Sequence, residues 1–88
     1  MPRFIIERSV PAMSRGELEE VGKRSNAVLA DMQGVVWIRS YVSDTEGKIY
    51  CEYDAPDEEA IREHARRAGF PVDRIALVSL EISPAMFR

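Results

Sequence analysis

Twice along this chain the spacing of apolar side chains switches from every second residue to every third or fourth, and then back. "RFIIERS" (residues 3 to 9) is rich in large and β-branched side chains and runs into Pro11, as a strand does. In "SRGELEEVGKRSNAVLADM", Leu18, Val21, Ser25, Val28, Leu29 and Met32 recur at helical spacing, and Ser14 with Glu17 forms an S-x-x-E capping box at its start. Gly34 ends this helix. "VVWIRSYVS" (35 to 43) and "KIYCEYD" (48 to 54) read as two strands around "DTEG", a turn-rich link of hairpin length, so they are expected to pair antiparallel. A second helix opens at Asp54 or Ala55, with Pro56 in its first turn and Asp57, Glu58 and Glu59 favourable against the helix dipole. Its buried stripe is Ile61, Ala65 and Ala68, and Gly69 followed by Pro71 stops it. "RIALVSLEI" (74 to 82) is the last strand, and "SPAMFR" a short tail.

The order is β-α-β-β-α-β. Two right-handed β-α-β crossovers that interleave give a four-stranded antiparallel sheet, spatial order 4-1-3-2, with both helices on one face. This is an α+β, ferredoxin-like sandwich filling a single domain, residues 1–88. Because the helices cover one side only, the other is open unless a second protein covers it, and a dimer is expected.

Alternation along each strand divides the sheet residues between the faces. The helix side is expected to take Phe4, Ile6, Val36, Ile38, Val42, Ile49, Cys51, Tyr53, Ala76, Val78, Leu80 and Ile82. The open side takes Ile5, Glu7, Val35, Trp37, Arg39, Tyr41, Lys48, Tyr50, Glu52, Ile75, Leu77, Ser79 and Glu81. Rings, apolar groups and arginine together suit an interface, so one reading is a two-fold homodimer with Arg39 paired to Glu7, Glu52 or Glu81. The other is a pocket in a small dimeric α+β-barrel enzyme, where Glu7, Arg39, Tyr41 and Glu52 would carry proton transfer or cofactor-free oxidation.

The chain has one histidine and one cysteine. Ile61, His64, Ala65 and Ala68 follow the i, i+3, i+4, i+7 rule, which turns His64 toward the sheet, and Cys51 points at the same layer. His64 then serves either as a packed ring or as a metal ligand, with Cys51 and carboxylates such as Glu63 as further donors; imidazole suits zinc, copper and nickel. One histidine and one cysteine make no ligand-spacing motif, so a tight site needs carboxylates or a second subunit.

At 88 residues a domain hides only about 60 to 65% of its unfolded surface and gains from a partner that covers more. Twelve basic residues against fifteen acidic, a net charge of −3, provide no basic field for a phosphate backbone, so nucleic acid is not an expected partner. A lone cysteine, "MPRFIIERS" without the apolar core of a signal peptide, and no apolar run near the ~20 residues of a membrane span point to a soluble cytoplasmic protein that does not engage membrane. There is no G-x-G-x-x-G, P-loop, C-x-x-C or nucleophile elbow, and the reading leans away from an enzyme.

"MPRFIIERSVP", "RSNAVLADM" and above all "WIRSYVSDTEGKIYCEYDAPDEEAIREHARRAGFPVDRI" carry a resemblance spanning nearly the whole chain. The chain resembles a family of short bacterial proteins grouped as a domain of unknown function, DUF4242, and described as nickel-binding. That resemblance implies a ferredoxin-like protomer, a homodimer and nickel binding, with a role in sequestration; "REHARRAGFP" looks like a family signature and contains His64. A ligand-sensing or interaction module is the remaining alternative.

Overall fold

The computed structural model describes residues 1–88. In chain order the elements are β1 (Arg3–Ser9), α1 (Arg15–Ala30), β2 (Val36–Ser43), β3 (Lys48–Asp54), α2 (Glu58–Ala68), β4 (Arg74–Leu77) and a 3-10 turn over Pro84–Phe87. All strand pairs are antiparallel and the sheet order is β2-β3-β1-β4, the interleaved α+β arrangement expected from the sequence. No helix is long and apolar enough to cross a membrane.

Helix α1 starts where its capping box places it. Ser14 Oγ accepts from the Glu17 amide at 3.2 Å, and the Ser14 amide donates to the Glu17 carboxylate at 3.0 Å. Helix α2 begins later than the sequence reading puts it: β3 runs through Asp54, and Asp57 is the N-cap, accepting from the Ala60 amide at 2.9 Å. An aspartate that caps the helix outcompetes the proline before it as the starting signal. At the other end Gly69 takes φ +75°, the left-handed conformation that closes α2.

Central strand β1 shows strict alternation, with Phe4, Ile6 and Arg8 buried on the helix side, and β3 matches it with Ile49, Cys51 and Tyr53. Ile6, Ala55 and Ile61 are wholly buried at the heart of the core.

Two expectations about the faces are corrected. In β2 the register shifts between Trp37, opposite Tyr53, and Arg39, opposite Glu52, so Ile38 is an extra residue in the strand. Such a bulge moves everything before it to the other face. Trp37 therefore shares the helix side with Tyr53, where its ring lies near Gly22 of α1 and packs against the core, while Val36 sits opposite Asp54 and is exposed. Val35, expected on the open side, is buried in the core. In β4, Ile75 pairs with Ile6 and Leu77 with Phe4, so these two share the helix side and Ala76 takes the open side, the reverse of the expectation. The strand also stops at Leu77 rather than 82; the Val78 amide still donates to the Arg3 carbonyl at 2.9 Å, residues 79 to 83 continue outside the strand, and Leu80 and Ile82 are exposed.

Candidate functional site: the layer between helices and sheet

Three polar side chains lie buried in the layer where the helices meet the sheet: Arg8 from β1, Ser25 from α1 and His64 from α2. Ser25 is the one polar member of the α1 stripe, and a hydroxyl so placed needs a partner. It finds His64, Nε2 to Oγ at 3.2 Å. The imidazole packs against Tyr53 (ring centroids 5.3 Å apart) and edge-on to Phe70 (5.8 Å), and its Nδ1 has no hydrogen-bond partner. Burial, with the Arg8 charge second and Ser25 opposing weakly, lowers the His64 pKa to about 4, so the ring is neutral at pH 7. Burial likewise pushes the Tyr53 phenol up.

Arg8 is 3% exposed and no carboxylate of the chain pairs with it. Its Nη1 donates to the Pro71 carbonyl at 2.9 Å, its Nε to Cys51 Sγ at 3.5 Å, and its guanidinium lies over the Phe70 ring at 5.3 Å; Nη2 is without a partner. Arg8, Cys51, Tyr53, Phe70 and Ser25 all line a cavity of about 400 Å³ roofed by α1 and reaching Trp37. Arg8 is the buried member of this group that the sequence does not single out. Its signal was there, since Phe4, Ile6 and Arg8 continue one alternation, but an arginine is exposed by default unless paired.

Of the three candidate metal donors, His64 and Cys51 are buried in this layer, as the periodicity indicated. Glu63 is turned away: its carboxylate meets the guanidinium groups of Arg66 and Arg67 on the outer surface of α2. Within the protomer no three His, Cys, Asp or Glu side chains form a group able to hold a metal ion. The orphaned Nδ1 is thus one nitrogen donor without a companion set, and a single protomer does not fit a nickel ion.

The other candidate quartet, Glu7, Arg39, Tyr41 and Glu52, lies on the open face with β1, β2 and β3 presenting it. Glu52 is bridged by Arg3 at 3.1 Å and Arg39 at 3.6 Å, while Glu7 meets Lys48 at 3.3 Å. Tyr41 is exposed and stands opposite Tyr50, whose hydroxyl donates to Glu46 at 2.9 Å. Around them the hydrogen bond from Arg3 holds the Asp54 carboxyl below its usual range, and Ser9 with Lys48 does the same for Asp73. This face is a lattice of ion pairs with Ile5 and the tyrosines between; Trp37, Val35, Ile75 and Leu77 are not part of it.

A helix-roofed antiparallel sheet with a cavity in its packing layer defines a small α+β sandwich protein. The chain belongs to the SCO4226-like family: the family model described as "Nickel responsive protein SCO4226-like" matches residues 4–78. The crystal structure of SCO4226 from Streptomyces coelicolor A3(2) is 26% identical and superposes with a TM-score of 0.81, covering 91% of this chain and 99% of that one. A solution structure of the hypothetical Arabidopsis thaliana protein AT3G17210 is 16% identical, with a TM-score of 0.44 over 93% of this chain and 89% of that one. No curated protein matches the chain.

Proposed function

We propose that this protein is a small cytoplasmic homodimer, each copy one domain of residues 1–88, that binds nickel and holds it in sequestered form. The observation that carries this reading is the match of residues 4–78 to a family described as nickel responsive. His64 is the donor assigned first among His64, Glu63 and Cys51, since it is neutral at pH 7 and its Nδ1 makes no competing bond. Because one protomer does not assemble a closed shell and Nδ1 is shielded from solvent, the helix–sheet layer has to open for the remaining donors, from a second copy or from water, to reach it.

Isothermal titration of metal-free protein with nickel is the test. Saturable heat at one or a few ions per protomer, reduced at least tenfold in affinity by His64→Gln, is the expected result. No heat with nickel removes the reading. Unchanged affinity in His64→Gln, with circular dichroism confirming the fold, removes His64 from the site and leaves nickel binding to other donors.

A further inference from the structure

The cavity beside Arg8 shares Cys51 with the nickel reading, but its cation and apolar lining have a chemistry that nickel binding does not use. Ten of its eighteen lining residues are hydrophobic, among them Val21, Trp37, Ile49 and Phe70. The only charged residues in the lining are Arg8 and Arg24, both within 5.3 Å of the Phe70 ring centroid, and no carboxylate lines it. A guanidinium is a permanent cation, so Arg8 carries its positive charge into a layer that holds no anion. Burying an ion is costly unless it is paired. Here its partners are a carbonyl, a thiol and the face of an aromatic ring, none of which carries the formal negative charge that would balance it, and Nη2 has no partner.

We propose that this cavity is a binding site for a small apolar monocarboxylate, whose carboxylate pairs with the Arg8 guanidinium and whose hydrocarbon body lies against Trp37, Val21 and Ile49. Charge selects the head group, since arginine presents a planar fork that matches a carboxylate. The lining selects the rest: an apolar chain is favoured there by the area it withdraws from water, whereas a sugar would find the two serine hydroxyls of the lining already bonded, Ser25 to His64 and Ser40 to Trp37. A cavity of about 400 Å³ has room for a body of medium-chain length. Nη2 is itself shielded from solvent, so pairing requires the guanidinium to turn within the cavity. Phe70 and Pro71, in the loop after α2, lie against it and would shift with it.

The chain has one tryptophan, and Trp37 lines the cavity, so its fluorescence reports occupancy directly. The probes are decanoate, below its micelle concentration, and decanol as the neutral counterpart of the same length, each titrated into full-length metal-free protein and checked by calorimetry. Decanoate is expected to change Trp37 emission saturably and to bind at least tenfold more tightly than decanol. Arg8→Met should erase that preference, making acid and alcohol equal. Gly22→Leu, which adds bulk toward Trp37 and leaves Arg8 in place, should abolish the response to both. Absence of a saturable response to decanoate in the native protein overturns the proposal, and so does equal binding of acid and alcohol by the native protein. The native comparison needs no variant, so a failure of Arg8→Met to fold leaves the test intact.

Discussion

The imidazole of His64 gives this fold a pH dependence with a definite sign. A histidine in the unfolded chain titrates near 6.5, and in the fold its pKa falls to about 4. Between those values the unfolded chain binds the extra proton, so stability is full above about pH 6.5 and declines as pH falls toward 4. The gap corresponds to about 3 kcal/mol if wholly realised. The titratable or charged groups near the ring from the neighbouring elements are the Arg8 guanidinium on β1 and the Tyr53 phenol on β3, which burial pushes up and so keeps neutral in that window. The depressed carboxylates Asp54, Asp73 and Glu17 lose their contribution at lower pH, below their ordinary values. Urea unfolding of metal-free protein at pH 7.0, 6.0 and 5.0 should show the midpoint falling steadily, and His64→Gln should flatten that slope while starting from a lower midpoint. An unchanged slope would mean the ring is protonated in place at little cost. At this scale the sequence was informative where the period was unbroken. The i, i+3, i+4, i+7 positions of α2 bury His64, and Ser25, a hydroxyl within an apolar stripe, is its bonded partner. Arg8 obeys the same kind of rule in β1, although an arginine is by default exposed unless paired.

Among the elements, those with chemical end-markers were readable and those shaped by pairing were not. Ser14 with Glu17 and Gly69 are local signals, and α1 and α2 start or stop on them. The bulge at Ile38 has no comparable marker in "VVWIRSYVS"; it exists because Trp37 reaches the space beneath Gly22 while Arg39 still reaches Glu52. That one inserted residue moves the largest side chain of the chain from the open face to the cavity wall. The end of β4 was equally hidden, since "RIALVSLEI" alternates to its last residue but pairs with β1 only through Leu77. The α2 cap offers a direct test. Gly69 has φ +75° and open space around it, so Gly69→Ala introduces no clash and isolates the backbone term, expected to cost about 1 kcal/mol. A second test removes the opposite cap: Asp57→Ala should also cost about 1 kcal/mol. Both are read as shifts of the urea midpoint, and no shift in either variant would show that packing of Ile61 and Ala65 alone holds α2.

For the whole molecule the question is what covers its exposed apolar groups. The open face is less apolar than alternation alone implies, since the register of β2 and β4 moves Trp37, Ile75 and Leu77 to the helix side. Tyr41 and Val36 remain exposed there, between ion pairs that leave a second copy matching charges rather than an oily sheet. The larger apolar exposure lies beyond β4: Leu80 is 73% exposed, Ile82 62%, Met86 56% and Phe87 72%. A run of such groups past the end of an edge strand whose outer backbone is unpaired is a surface suited to a partner. The proposed homodimer therefore has two contributing regions, and they separate experimentally. Sedimentation equilibrium should find a dimer for the native chain at tens of micromolar. The double variant Leu80→Asp and Phe87→Asp should weaken association at least tenfold, and Tyr41→Asp less, because its neighbours on the open face are already charged. If the tail variant associates as tightly as the native chain while Tyr41→Asp is monomeric, the sheet face alone forms the interface. If the native chain sediments as a monomer throughout, the dimer is excluded and any nickel shell must be completed by water around donors of a single copy.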